Sequence, residues 1–335
     1  MRVVVFGASG NVGTSVVRAL RSDRRVDEII GVQRRAPAPG TLDIEWAAAD
    51  IGRDDLVPLV EHADAVVHLA WAVQPQRDRL RLHETNVIGS ARIFEAVGRA
   101  EVPALVYASS LGAYSSAPLG AVVDESHPTD GIPTSTYSLQ KAYVERLLDR
   151  FEAAHGLVRT VRLRPALCLK GEAAEEVRGL FGGPAGRFLP AAARRLRHVR
   201  LMPDVDGLAV QVVHTDDVAD AYRRAVTGSV KGAFNVAAHP ILDAEVLSRT
   251  TGAWRVPVPA RLVRSAMRVA YDLHLQPSEP GWFDMAAQGP LMSTERAERS
   301  LGWQATRSSL DTLRELIDGI AARSDLATPP LSGPG

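Results

Sequence analysis

Tyr137 and Lys141 stand four residues apart in Tyr137-Ser138-Leu139-Gln140-Lys141, a stretch with helical character. Residues i and i+4 share a helix face, so the phenol and the amine would point the same way. A phenol ordinarily ionises at roughly pH 10. A neighbouring ammonium stabilises the phenolate and lowers that value, so Tyr137 could exchange a proton with a substrate hydroxyl or carbonyl at neutral pH. Ser110 follows the apolar run Pro103–Ala108, and its hydroxyl could hydrogen-bond the same substrate oxygen. Asn86 lies in a long helical stretch, where it could hold a water or a backbone group that extends the proton path. Each residue also has a structural reading. The Tyr/Lys pair arises by chance on many helices, Ser110 serves equally as a strand-end cap, and Asn86 as a helix cap or a satisfied core amide.

A second chemical signal opens the chain. Arg2 to Phe6 reads as a buried strand, followed by Gly7-Ala8-Ser9-Gly10-Asn11-Val12-Gly13 and then a helical apolar pattern through Val16, Val17, Ala19 and Leu20. A strand, a glycine turn and a helix in that order make an anion site. Backbone N–H groups can approach a pyrophosphate there, and the helix N-terminus adds partial positive charge. The spacing is G-x-x-G-x-x-G rather than G-x-G-x-x-G, and a tight turn without a ligand would carry the same residues.

The elements that must position these residues alternate between strand and helix. Strands are expected at Glu28–Val32, Asp64–Ala70, Pro103–Ala108 and Leu157–Leu163. Helices are expected at Asn11–Arg21, Leu80–Ala100 and Ser135–Ala154. This alternation implies a doubly wound, Rossmann-type α/β fold: a parallel sheet with helices on both faces, whose ligands sit at the carboxyl ends of the strands. Past Arg164-Pro165 the pattern breaks into Gly-, Pro- and Arg-rich sequence, with a loop expected at 179–186. Val210–Val213 and Gly232–Val236 read as strands around a helix at Asp216–Val226, returning to the first domain. Two further helices are read at Ala260–Leu273 and Ser309–Ala322. The division expected is a dinucleotide-binding domain over 1–164 plus about 210–240, a smaller substrate lobe from about 165–209 and 241–315, and a disordered tail at 325–335.

Composition narrows the function classes. The 335 residues include 46% hydrophobic side chains, enough for a sizeable core, and 39 basic residues balance 39 acidic ones. No surplus of charge points to nucleic acid or an anionic membrane. One cysteine, Cys168, rules out an intrachain disulfide and fits a reducing cytoplasm. No signal peptide is read ahead of the first strand, and no apolar run approaches the roughly 18 residues needed to span a bilayer. No metal-type Cys/His cluster is seen.

Taken together, these motifs resemble the extended short-chain dehydrogenase/reductase family, in its NAD-dependent epimerase/dehydratase branch. The Gly7/Gly10/Gly13 spacing matches that family's turn, and Asp64–Ala70 followed by Trp71 its fourth strand. Asn86, Ser110, Tyr137 and Lys141 fall where its catalytic tetrad falls. Leu163-Arg164-Pro165 is similar to its sixth-strand ending, His214-Thr215-Asp216-Asp217-Val218-Ala219 to a later strand-to-helix motif, and Ser300-Leu301-Gly302-Trp303 to a C-terminal signature. The match runs from residue 1 to about 315. The resemblance implies a bound NAD(P) and hydride transfer at a carbon bearing oxygen. Tyr137 would act as acid/base, Lys141 would lower its pKa and bond the nicotinamide ribose, Ser110 would orient the substrate oxygen, and Asn86 would support the relay. The implied cofactor contacts are Gly7, Ser9, Gly10, Asn11, Val12 and Gly13 in the turn, and Gln33, Arg34 and Arg35 after the second strand. Asp50 and Ile51, then Leu69, Ala70 and Trp71, then Tyr137, Lys141 and Pro165 complete the set.

Two departures from the family pattern bear on cofactor and substrate. NAD-specific folds place an acid after the second strand for the ribose 2′-OH, but here the residues are Gln33-Arg34-Arg35. Arginine suits a 2′-phosphate, so NADP(H) is favoured and NAD(H) remains possible, with solvated loop charges as the alternative. Asp50 would contact adenine or, equally, cap a helix over Gly52–Val60. Nucleotide-sugar enzymes of this family commonly carry an arginine where Val210 stands, and polar residues where Pro165-Ala166-Leu167-Cys168-Leu169 is apolar. Arg187, Arg194, Arg195, Arg197 and Arg200 could substitute or could simply be solvated. Trp71, Ser110, Leu111, Leu167 and Trp282 are the candidate substrate contacts, and an aromatic-lined pocket would suit a less polar small-molecule substrate. The readings are a ketoreductase or dehydrogenase, a nucleotide-sugar 4-epimerase with tightly bound NAD, or a non-catalytic nucleotide sensor. Ser109-Ser110-Leu111 contains no acid, which disfavours dehydration. A homodimer through Leu80–Ala100 and Ser135–Ala154 is possible.

Overall fold

Seven strands form one parallel sheet: β1 (Arg2–Phe6), β2 (Glu28–Gln33), β3 (Glu45–Ala48), β4 (Ala65–His68), β5 (Ala104–Ala108), β6 (Arg159–Pro165) and β7 (Gly232–Val236). Their spatial order is β7-β6-β5-β4-β1-β2-β3, every neighbouring pair parallel. The computed structural model describes residues 1–335 except 36, 39, 74–77, 175, 178–200, 277, 323, 325–327, 329, 330 and 332–335. The expected loop at 179–186, the arginines at 187–200 and most of the 325–335 tail lie outside the described residues.

The sheet is buried on both faces because its strands alternate between two cores. Val3 and Val5 pack with Val16, Val17 and Leu20 of helix α1 (Asn11–Arg21), on the face shared with Tyr222 and Ala225. Val4 and Phe6 point the other way, toward Ile93, Phe94 and Val97 of α2 (Gly89–Arg99) and Val144, Leu148 and Phe151 of α3 (Thr136–Ala154). Each such side chain contributes about 1.5–3 kcal/mol on leaving water. Tyr222 and Ala225 belong to α4 (Thr215–Thr227), whose Asp217 takes hydrogen bonds from Thr306 and the Arg307 backbone and whose carbonyl accepts the Trp303 indole N–H at 2.7 Å. The late strand-to-helix motif and the C-terminal signature therefore meet in one buried joint.

Several expectations need correcting. Residues 212–214 form the strand rather than 210–213, and they pair with Leu167–Leu169 outside the seven-stranded sheet; only Gly232–Val236 rejoins it. The helix expected over Gly52–Val60 is reduced to Val57–Val60, because Asp50 turns the chain at 50–54 and Pro58 sits in that helix's first turn. The helix expected over Leu80–Ala100 is continuous but contains a π-turn at Glu84–Ile88, which carries Asn86.

Beyond the sheet's carboxyl edge, Leu201–Val205 pairs with Trp254–Val258. There follow α5 (Ala260–Asp272), α6 (Gly281–Gln288) and the terminal α7 (Ser309–Ala322). Arg264 of α5 holds Asp284 of α6 through two hydrogen bonds, at 2.7 and 2.9 Å.

Candidate active site

The glycine turn leaves β1 at the carboxyl edge of the sheet, beside the ends of β2 and β4. Gly7 has φ +83°, which favours glycine, and a Cβ there would lie 2.7 Å from the Ala70 nitrogen. Gly13 must also lack a side chain, since its Cβ would come within 2.2 Å of the Gly7 carbonyl oxygen. Gly10 differs: among the described residues the only neighbour of its Cβ would be the Gly7 oxygen at 3.6 Å, so these residues leave a hollow at the head of α1. No side chain caps that helix and no acid occupies its first turn, so its N–H groups can receive an anion. The Asn11 amide donates to the Cys168 carbonyl at 3.1 Å, tying the first turn of α1 to the segment after β6. Ser9 is buried and Val12 partly buried in the turn. These features fit a dinucleotide phosphate.

The flanking residues are distributed around this turn. Leu69 and Ala70 lie partly buried where β4 packs on it, and Pro165 is buried at the end of β6. Gln33 ends β2 partly buried, with Arg34 and Arg35 exposed after it. The Asp50 carboxylate receives the Gly52 N–H at 2.9 Å, so it makes a tight turn rather than a helix cap. Ile51 is buried against Gly89.

The proposed proton-transfer residues converge on the same edge. Ser135 caps α3 by accepting the Ser138 N–H at 3.3 Å, and Glu279 accepts the Thr136 N–H at 2.7 Å and its hydroxyl at 3.1 Å. Ser138 donates to the Gly112 carbonyl at 2.5 Å and accepts the Ile132 N–H at 2.6 Å, tying the first turn of α3 to the Ser110–Ala113 turn. Tyr137 is thereby brought beside Ser110, whose hydroxyl favours the ionised phenol. Ser110 is buried and accepts the Gly112 N–H at 3.0 Å, so it is also the strand-end cap that its position allowed. Leu111 is partly buried beside it, and Leu167 is exposed. Two indoles border Tyr137: Trp282 with ring centroids 4.8 Å apart, and Trp71 edge-on at 6.0 Å.

Lys141 is 3% exposed and donates to the Ala108 carbonyl at 2.7 Å, with its amine 3.5 Å from the centre of the Trp71 ring. Burial lowers its pKa to about 7, opposed by the Glu145 carboxylate one helical turn further on. The Tyr137 phenol is pushed up to about 12 by burial, with only the Ser110 hydroxyl working the other way. The amine is turned toward Ala108 and Trp71, 5.9 Å from the phenol ring centre. The Asn86 side chain is likewise committed: it accepts the Ala72 N–H at 2.7 Å and donates to the Ala72 backbone carbonyl at 3.3 Å and to the Gln140 side-chain oxygen Oε1 at 2.9 Å. It holds backbone, as one expectation had it.

Four positioning residues escaped sequence reasoning. Glu279 and Gln140 had no local motif. Gly112 had no φ signature, but a Cβ there would strike the Tyr137 ring at 2.9 Å and the Met285 sulfur at 2.8 Å. Glu145 continues the Tyr137–Lys141 stripe by four residues, a periodicity that could have been read. Fully buried, it takes hydrogen bonds from Arg164 at 2.8 and 2.6 Å and another from Ser109.

A family model described as "NAD dependent epimerase/dehydratase family" matches residues 3–237. The chain belongs to the NAD-dependent epimerase/dehydratase family. It is accordingly an enzyme of the extended short-chain dehydrogenase/reductase type. It is similar to a UDP-glucose 4-epimerase of Halalkalibacterium halodurans, 24% identical over 94% of each chain. An L-arabinose 1-dehydrogenase (NAD(P)(+)) of Haloferax volcanii is 31% identical over 47% of this chain and 63% of its own. Among solved structures, a short-chain dehydrogenase/reductase superfamily protein from Agrobacterium tumefaciens with bound NAD superposes with a TM-score of 0.69 at 22% identity, over 96% of this chain and 98% of the other. Among the described residues no helix is long and apolar enough to cross a membrane, and no group of side chains could hold a metal ion.

Proposed function

We propose that this enzyme is an NAD(P)(H)-dependent ketoreductase or dehydrogenase that transfers hydride at a C=O/CH–OH centre of a small metabolite and favours NADP(H). One observation carries the reading: the Tyr137 phenol lies beside Ser110, with the Lys141 amine on the next helical turn, at the sheet edge that bears the glycine turn. Gly7–Gly13 would hold the dinucleotide phosphates, and Arg34 and Arg35 a 2′-phosphate. The nicotinamide, when bound, supplies or accepts the hydride. In the reductive direction the protein supplies the proton. A phenol with a pKa near 12 is fully protonated at neutral pH, the form a donor needs. Ser110 orients the substrate oxygen, Tyr137 donates its proton as that oxygen becomes a hydroxyl, and a charged Lys141 stabilises the phenolate left behind.

Trp71 and Trp282 give the pocket an apolar wall, which supports a substrate less polar than a nucleotide sugar. Val210 bonds through its backbone to Leu242, and Leu167 follows the sixth strand; neither offers a grip for a diphosphate. Comparing dissociation constants for NADPH and NADH tests the cofactor preference, and tighter NADH binding would end it. The resemblance over nearly the whole length to a UDP-glucose 4-epimerase supports a second reading, a nucleotide-sugar 4-epimerase with resident NAD. Co-purified NAD, and turnover of a nucleotide sugar without net change in NADPH, would favour that alternative. Exposed Ile88, Leu139 and Tyr143 on the two helices proposed for pairing support a homodimer, which sedimentation would test.

A further inference from the structure

Only three of the 39 Lys and Arg residues are lysine: Lys141, Lys170 and Lys231. Arginine keeps its charge in almost any surroundings, whereas a buried lysine can lose it. Lys141 and Lys170 are both buried. Lysine in this arginine-rich chain is thus concentrated where a charge can be tuned, and Lys141 is the one placed beside Tyr137.

The surroundings of the Lys141 amine are specific. The Ala108 carbonyl takes one proton at 2.7 Å. Of the ionisable groups near it, Glu145 is already bound to Arg164 and Ser109, and the Tyr137 ring centre lies 5.9 Å away. The Tyr107 ring centre is 5.4 Å away, Cys168 is held as a neutral thiol by burial, and His68 is kept neutral by burial with Lys141 adding to that effect. The Trp71 face is nearer than either tyrosine ring, at 3.5 Å. Trp71 is itself fixed: Asn86 grips both backbone polar groups of the next residue, Ala72.

We propose that Trp71 is a positioning residue for Lys141, its indole face holding the amine in place and favouring its charged form through a cation–π contact. The proposal rests on the reading of Tyr137 and Lys141 as the proton-transfer pair. That reading needs an ammonium beside the tyrosine, yet desolvation works against one. The face of an indole is the aromatic surface most attractive to a cation, and the attraction grows where water is excluded. Trp71 thus supplies a neutral counterweight to burial without adding a carboxylate that would compete for the Tyr137 proton.

The test reads Lys141 directly in the cofactor-free, full-length protein. With 13C-labelled lysine the chain gives three Cε signals, assigned by Lys141→Arg and Lys170→Arg, and each can be titrated against pH. Trp71→Leu should lower the Lys141 midpoint by about one pH unit, and Trp71→Phe by less. The Lys170 and Lys231 midpoints should stay put. Should Trp71→Leu fail to fold, fluorinated tryptophan serves instead, since it weakens the ring's negative face at nearly constant size. The Lys141 midpoint should then fall stepwise with fluorine content. A midpoint indifferent to fluorination, or moved equally by Phe and Leu, would overturn the proposal and leave Trp71 as packing. Failure of the underlying reading looks different: Tyr137→Phe would keep full oxidoreductase activity whatever the lysine titration did.

Discussion

The Asn86 side chain closes a clamp on Ala72, accepting its N–H at 2.7 Å and donating to its carbonyl at 3.3 Å, from inside a π-turn of the helix that follows β4. The clamp fixes the residue after Trp71, and a third hydrogen bond to Gln140 reaches the neighbour of Lys141. Asn86→Ala leaves a buried donor and acceptor unmatched, at about 1–3 kcal/mol each. We expect Asn86→Ala to lower the midpoint of denaturation, and to reduce kcat far more than a surface substitution of equal destabilisation would. Denaturant titration alongside kinetics on the same preparation checks both.

Glu145 links the catalytic edge to the buried arginines. Burial alone would raise its pKa, but the hydrogen bonds and charge of Arg164, the charge of Arg162 and the Ser109 hydroxyl hold it below the ordinary glutamate value. A carboxylate with a depressed folded pKa stabilises the fold above its unfolded pKa, near 4.5, and loses that contribution as pH falls through the folded value. Glu145→Gln removes the charge and leaves Arg164 buried without its anion, which should cost about 3–5 kcal/mol at neutral pH. The loss should shrink as the pH drops below 4.5. Urea unfolding of both proteins across the acid range would reveal the convergence.

Lys141 shows the opposite linkage. Its folded pKa, near 7, lies below the ordinary lysine value of 10.5, so between these limits the unfolded chain binds more protons. The wild-type protein should therefore gain stability as pH rises from 7 to 10.5 on account of this group. Lys141→Met should abolish that increment and reduce turnover by several orders of magnitude, yet be at least as stable as wild type at pH 7. Melting temperatures at a series of pH values check it, and a variant less stable than wild type throughout would contradict the sign.

What the sequence made legible was local. The strand–glycine–helix opening is contiguous, so its physics is readable from Phe6 to Leu20, and Tyr137–Lys141 lies within one helix. The missed features join residues distant along the chain. Glu279 reaches Thr136 across 143 positions, and no periodicity links them. The direction of the Lys141 amine was illegible for the same reason: a shared helix face sets two side chains side by side, whereas the partners that take up the amine, Ala108 and Trp71, come from two other elements. The pairing of the strand at 212–214 with Leu167–Leu169 was not legible, because an apolar run specifies strand but not partner.

The proposed preference for NADP(H) rests on Arg34 and Arg35, exposed after β2 where an acid would favour NAD. Replacing both with serine should weaken NADPH binding by about tenfold or more, since a hydrogen bond to a charged group contributes about 1.5–3 kcal/mol. NADH binding should change little. Fluorescence titration with each nucleotide distinguishes this from loss of the whole site, in which both affinities would fall together.

Gly10 and Gly13 separate ligand space from packing within a single turn. A methyl group at Gly13 would overlap the Gly7 carbonyl oxygen at 2.2 Å, so Gly13→Ala must displace backbone at the junction of β1 and α1. The expected result is a destabilised protein with little dinucleotide affinity. A methyl at Gly10 meets protein only at 3.6 Å, an ordinary contact, and Gly10 has no positive φ to lose. Gly10→Ala should fold with nearly wild-type stability but fill part of the hollow in front of the α1 N–H groups. We expect affinity for both NADPH and NADH to fall by about tenfold or more, corresponding to roughly 1.4 kcal/mol. Calorimetric titration with each dinucleotide, set beside thermal denaturation of both variants, checks the contrast. Unchanged binding by Gly10→Ala would place the phosphates elsewhere on the sheet edge.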